Sequence, residues 1–339
     1  MMAIDRNFYD FASGYTAGSL AKVLRVPLIG GATPDVEITD ILPFDLVVAH
    51  SLSFQSDLEL AKLASVKGAV LIVSEDIANV MTPLNSCLVS KNPRITFAHA
   101  LDQLVKPVLS TRSGQSVVPD VEIADGASIH PTAVIKSGAR IGQNTVIDAG
   151  VVINEGVSIG ADCYIGANAV LSFAILEEAV RIGAGTVIGE AGFGFEMTTD
   201  GAVKIPHIGR VRIGQAVSIG ASCAIDRGSL GDTVVAAHVM IDNLCHIAHN
   251  VTIGSNSVIA GQAGISGSVT IGANVMMGGQ VGIAPHVTIG DGATLTARSG
   301  VTKDVDASEQ VAGFPAMPAR QFWRDQAALR RLVKPRSKL

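Results

Sequence analysis

Four histidines stand close together in the second half of a 339-residue chain: His238, His246, His249 and His286. Imidazole changes charge near neutral pH, so such a cluster can move protons or ligate a metal. The other familiar chemical signatures are missing. There is no phosphate-cradling GxxxxGK[ST] loop, no GxSxG elbow, no HExxH helix and no convincing carboxylate pair. Gly267, in the segment Gly264-Ile265-Ser266-Gly267-Ser268, lies 18 residues after His249. If residues 18 apart stack, a side-chain base sits one strand spacing from a glycine amide. That pairing suits acyl transfer: the imidazole takes a proton from the nucleophile, and the amide stabilises the oxyanion. A lone surface histidine is more often a bystander than a base, so both readings stand at this level.

The elements that would stack these residues are legible as a repeat. Aliphatics recur every six residues from Ile123 through Ile129, Ile135, Ile141 and onward to Leu171. The register slips by one through Leu176, Ile182 and Ile188, and resumes at Ile213, Ile219 and Ile225. A final run from Val235 to Val301 has no miss, with a chance of roughly 1 in 1,000. A period of six is neither helical nor a simple alternating strand. It predicts a mainly β fold, a left-handed parallel β-helix in which three hexapeptides make an 18-residue coil. Glycine or another small residue often follows the aliphatic, as in Ile141-Gly142 and Ile271-Gly272, where a corner's turn conformation would favour it.

Composition agrees. The chain is 48% hydrophobic, 4% aromatic and 16% charged, with 36 glycines and a mean hydropathy of +0.41. No apolar run approaches the ~18 residues of a spanning helix, so no transmembrane segment is expected. The first residues lack the pattern of a secretory signal. Four cysteines without a CxxC pair read as reduced thiols, and the expected location is cytoplasmic. A net charge of −5 argues against a nucleic-acid partner. From Ala319 to Leu339, however, seven basic residues face a single acid, Asp325, which suggests an acidic partner beside the plainer reading of a solvated helix face.

The period delimits three regions. Residues 1–110 lack it and read as an α/β domain. Leu46-Val47-Val48 and Ala69 to Val73 are strand-like, and Leu58 to Ala64 is helix-like. Asn92-Pro93 reads as the cap and first position of a helix through about Leu104. Ser110 to Val118 reads as a polar connector. Residues 111–306 form the β-helix, interrupted at 190–209 by a loop excursion that is either a surface hairpin or a substrate-contacting loop. Residues 307–339 hold a rigid link, Gly313 to Pro318, and a basic C-terminal helix from Ala319 to Val333.

The string Asp242-Asn243-Leu244-Cys245-His246-Ile247-Ala248-His249-Asn250-Val251 resembles the active-site segment of the UDP-3-O-acylglucosamine N-acyltransferases of lipid A biosynthesis, within the hexapeptide-repeat acyltransferase superfamily. Gly192 to Phe195, Lys204-Ile205-Pro206, Ile225 to Thr233, Gly279 to Ile283, Asn92-Pro93-Arg94 and the basic tail resemble that family too. The resemblance implies a homotrimer with active sites between subunits. It implies transfer of a 3-hydroxyacyl chain from acyl carrier protein to the 2-amino group of UDP-3-O-(3-hydroxyacyl)-glucosamine. The transfer would be direct, with no metal and no cofactor beyond the carrier's phosphopantetheine. By the same resemblance His249 is the general base, Gly267 the backbone oxyanion donor and His286 a substrate-binding residue. His286 lies two coils plus one residue beyond His249, roughly 9.6 Å along the axis, which points it at a shared ligand or a neighbouring subunit. Asp242 and Asn243 would line the active site, and Arg320, Arg324, Arg330 and Arg331 would meet the carrier protein. The family's uridine-binding segment carries aromatics that sandwich the uracil. Here Phe54 occupies one such position, while the lysine and tyrosine positions hold Glu59 and Leu60.

Two other classes remain in view at this level. One is a metal hydratase like the gamma-class carbonic anhydrases, which also build trimeric hexapeptide solenoids, although His246, His249 and His286 do not follow that ligand pattern. The other is a non-enzymatic solenoid scaffold.

Overall fold

The computed structural model describes residues 4–30, 35–63, 65–108, 120–313 and 316–332. The six-residue period becomes a parallel β-helix whose three faces are sheets of nine, nine and ten strands. From Ile141 onward the aliphatics of the repeat are buried, most of them closing a two-residue strand, while Ile123 of the first coil is exposed. On one face Ile225, Ile247, Ile265, Ile283 and Val301 stack in register, all buried. Burying one such side chain contributes about 1.5–3 kcal/mol, and the ladder repeats this at every coil.

The glycines take two roles: some, such as Gly138 and Gly150, hold a left-handed corner with φ of 73° and 68°, whereas most of those directly after an aliphatic of the repeat do not. Gly142 follows its aliphatic but has no left-handed backbone; a Cβ there would lie 2.3 Å from the Gly160 carbonyl carbon of the next coil. Its role is close approach between coils. The left-handed corner falls two residues later, and where glycine does not fill it Asn or Asp often does, as at Asn144, Asp162, Asn168, Asn250, Asn256 and Asn274, with φ between 56° and 61°. Asn and Asp reach that region because their short polar side chains bond locally.

Before the β-helix stands a five-stranded sheet in the order Leu28–Ile29, Ser86–Val89, Val70–Val73, Ser51–Gln55, Asp40–Ile41. All its pairings are parallel except the first. The expected strand at Leu46–Val48 is not formed. A 3-10 turn occupies Phe44–Leu46, Leu46 and Val48 are exposed, and the strand is Ser51–Gln55, whose residues are covered on both faces. The predicted helices appear at Leu58–Leu63 and Pro93–Leu104. In the latter, Asn92 Oδ1 accepts from Ile95 N–H at 3.2 Å. The C-terminal helix is Ala319–Leu332. The predicted connector Ser110–Val118 lies outside the described residues, as do Phe314 and Pro315 of the link.

The N-terminal region is fastened to the β-helix by specific contacts. Tyr9 stacks on Phe173 at 5.0 Å and donates its hydroxyl to the Gly209 carbonyl at 3.2 Å. Arg210 forks onto Asp232 at 3.0 and 3.1 Å and also pairs with Asp5. This joint sets the N-terminal sheet beside the excursion 190–209, where a hairpin pairs Phe195–Thr198 with Gly201–Lys204. No helix among the described residues is long and apolar enough to cross a membrane.

Candidate active site

A cavity of about 570 Å³ opens on the side of the β-helix, lined by His246, His249, Gly267 and His286 together with Arg94, Phe193 and Asp226. The stacking anticipated from the 18-residue coil is therefore realised: His249, Gly267 and Pro285 occupy one corner position on successive coils. His286 is one residue further on, and its N–H donates to the Gly267 carbonyl at 3.2 Å.

Asn250 orients the His249 ring. Its Nδ2 donates to the Leu230 carbonyl at 2.7 Å, and its Oδ1 accepts from Ser229 N–H at 2.9 Å. Those two bonds fix which end of the amide is oxygen. That oxygen lies 3.0 Å from His249 Nδ1, so Nδ1 carries the proton and Nε2 keeps a free lone pair. Nε2 faces Gly267, where an added Cβ would sit 2.6 Å from it.

The amide of Gly267 is equally distinctive. It is the second residue after an inward aliphatic, and at several equivalent corners that N–H is taken by a side-chain oxygen. Asp242 takes Gly261 N–H at 3.1 Å, Asp291 takes Ala273 N–H at 2.8 Å and Asn243 takes Ala221 N–H at 2.7 Å. Among the described residues no acceptor occupies Gly267 N–H. A free backbone donor beside an imidazole nitrogen is the equipment for carbonyl addition chemistry.

Asp242 and Asn243 do not join this cavity within the chain. They sit on the preceding corner, exposed, tying neighbouring coils through Gly261 and Ala221. Phe54 also lies apart. It packs on Phe97 at 4.8 Å in a second cleft of about 360 Å³ lined by Phe44, Gln55, Arg94 and Leu230. Arg320, Arg324, Arg330 and Arg331 are exposed on the C-terminal helix. At 100° per residue Arg320, Arg324 and Arg331 fall within a stripe about 40° wide. All four cysteines are buried, so none presents a thiol to the cavity. Among the described residues no three His, Cys, Asp or Glu side chains converge to hold a metal ion.

Sequence reasoning missed His207, a fifth histidine in the interrupted segment. It is 3% exposed, donates Nδ1–H to the Ile205 carbonyl at 3.0 Å and meets His249 edge-to-face at 5.0 Å. Gly192 and Gly194 fold over the two rings, and a Cβ on Gly194 would lie 2.6 Å from His207 Cε1. Arg227 closes the base of the excursion by donating to the His207 and Gly189 carbonyls at 2.9 and 2.7 Å. The available signal was the interruption itself, glycines alternating with phenylalanines before a histidine.

Burial, aided by the nearby His249, pushes His207 down to about 4. The native state therefore refuses a proton that the unfolded chain accepts below about 6.5. The contribution of this group to stability is constant above that pH and declines as pH falls from about 6.5 to about 4. Between pH 7 and pH 5 this group should remove about 2 kcal/mol. Denaturant unfolding of wild type and His207→Gln at the two pH values measures it: the wild type should lose more stability than the variant by that amount. Burial likewise raises Asp226, against the opposing pull of His246, whose Nε2 lies 3.8 Å from its carboxylate.

Comparison with known proteins places these features in context. Residues 138–173 and 232–267 match the bacterial transferase hexapeptide (six repeats) family, and 268–302 match the hexapeptide repeat of succinyl-transferase. The chain is 46% identical over 330 residues, 97% of each chain, to a UDP-3-O-acylglucosamine N-acyltransferase of Caulobacter vibrioides. It is 45% identical over 338 residues, 98% of each chain, to the protein of that name from Maricaulis maris. Among solved structures it is similar to a UDP-N-acetylglucosamine acyltransferase from Campylobacter jejuni. That likeness has a TM-score of 0.48 and 23% identity, over 62% of this chain and 86% of that one.

Proposed function

We propose, from the premise that this chain belongs to the UDP-3-O-acylglucosamine N-acyltransferase family, that it moves a 3-hydroxyacyl chain from acyl carrier protein onto the 2-amino group of a UDP-3-O-acyl-glucosamine, a step of lipid A biosynthesis. The observation that carries the chemical part is the orientation of His249, with Nδ1–H held by Asn250 and Nε2 left free beside an unoccupied backbone donor.

The amine nitrogen attacks the thioester carbonyl carbon and a C–N bond forms. His249 Nε2 takes the proton that the nitrogen loses. The oxygen, now negative, is met by Gly267 N–H. Collapse breaks the C–S bond, and the imidazolium returns its proton to the departing thiolate of the phosphopantetheine. Proton and charge balance within the site, and the transfer requires neither a metal nor an acyl-enzyme. His286, which lines the same cavity, binds substrate.

Assembly as a trimer is supported by a column of exposed apolar side chains on one face: Met240, Val258 and Met276, stacked in register. A second copy would cover this column, and would bring corners such as Asp242 and Asn243 toward a neighbouring site. The arginine stripe of the C-terminal helix suits an acidic carrier protein. The protein acts on the cytoplasmic side, where such a carrier resides.

Mass spectrometry of the products tests the reading. Purified protein is supplied with UDP-3-O-acyl-glucosamine and 3-hydroxyacyl carrier proteins of several chain lengths. The expected outcome is one preferred donor and a product heavier than the acceptor by one hydroxyacyl group, stable to mild base that cleaves esters. Absence of product with every donor would overturn it.

A further inference from the structure

The cavity around His249 and the cleft beside Phe54 meet at one side chain. Arg94 lines both. It is also the one lysine or arginine among the described residues lining either. It is mounted on the first turn of the helix Pro93–Leu104, whose start is held by the Asn92 cap, so the guanidinium has a rigid root. Its present partner is Glu196 of the excursion hairpin, with Nη1 3.5 Å from Oε2, and the side chains are 50% and 32% exposed. A half-exposed pair at that distance contributes little, so the arginine is available to a stronger anion.

A nucleotide sugar is a linear molecule: base, ribose, diphosphate, sugar. With the sugar's amine at His249 Nε2 and the uridine in the cleft of Phe54 and Phe97, the diphosphate must cross the junction between them. We infer that Arg94 is the diphosphate-binding residue of this site, exchanging Glu196 for the ligand when the acceptor enters. The inference rests on the reading above that the acceptor is a UDP-sugar. A guanidinium fork matches two phosphate oxygens at once.

The test compares the binding of UDP with that of uridine by calorimetry, on the full-length protein. Wild type should bind UDP more tightly than uridine. Arg94→Ala should shrink that UDP-to-uridine ratio by roughly 10- to 100-fold, the worth of a charged hydrogen-bonded contact, while uridine still binds and so reports an intact cleft. Glu196→Gln should move the ratio the other way by a few-fold, since it removes the competing carboxylate. An unchanged ratio in Arg94→Ala, or a wild type that binds both ligands equally, overturns the assignment of Arg94 and leaves the acyl-transfer reading standing. A wild type that binds neither ligand overturns the UDP-sugar acceptor, and this inference with it.

Discussion

His249→Ala should lower turnover by roughly 10²–10⁴ while leaving the thermal unfolding midpoint close to wild type. The large kinetic effect follows from what the side chain alone supplies. Asn250 fixes the proton on Nδ1, so Nε2 is the free base facing the cavity, and alanine has nothing to accept the amine's proton. The small effect on folding follows from what the backbone keeps. The His249 carbonyl still accepts from Ser268 N–H at 2.9 Å, and the adjoining coil bonds through Ala248 and Ile265 persist. Single-turnover kinetics on carrier-bound substrate, beside a melting curve, would separate the two. Near-normal turnover in a folded variant would remove His249 from the role of base.

Gly267→Ala should cost on the order of 10² in turnover from a single methyl group. That methyl would stand 2.6 Å from His249 Nε2 and 2.8 Å from Cε1, nearer than atoms approach without something shifting. The ring must turn away from Asn250, or the Gly267 N–H must retreat from the reacting carbonyl. A displacement near 1 Å at a catalytic group is enough for a loss of that size. Gly300→Ala is the control. It lies on the last coil with nothing within 4 Å of the new Cβ, and should retain full activity. Equal activity in the two variants would mean that the contact between base and glycine is not used in catalysis.

Some of this site was legible without coordinates because the β-helix turns sequence distance into spatial distance. Residues 18 apart must stack, so His249 and Gly267 could be paired from their numbers. What the count could not supply was orientation. Asn250 lies in the quoted string, yet its function depends on Ser229 and Leu230, which belong to an irregular turn between Ile225 and Val235 where the period fails. Asp242 and Asn243 belong to the same string, but the corner between them and His249 turns them away from the cavity, where they bond to neighbouring coils. The same corner geometry divided the glycines between two roles: most of those directly after an aliphatic of the repeat permit close packing of coils, and the left-handed position two residues beyond holds asparagine at some coils and glycine, as Gly138 and Gly150, at others.

The period of aliphatics by itself determined the parallel β-helix, since one large inward residue recurs in every hexapeptide; the structure adds a second buried residue two positions before it, as Val151 before Ile153 and Ala263 before Ile265. It also determined that His249 and Gly267, 18 residues apart, stand on adjoining coils. Tertiary structure alone decided what lies outside the repeat. The excursion 190–209 folds back to bury His207 against His249, and the joint through Tyr9 and Arg210 swings the N-terminal sheet around until Arg94 reaches the cavity. These contacts join residues some 40 to 200 positions apart with no periodic relation, for example Tyr9 and Gly209. No local pattern encodes such pairings; they arise from the packing of one irregular surface on another.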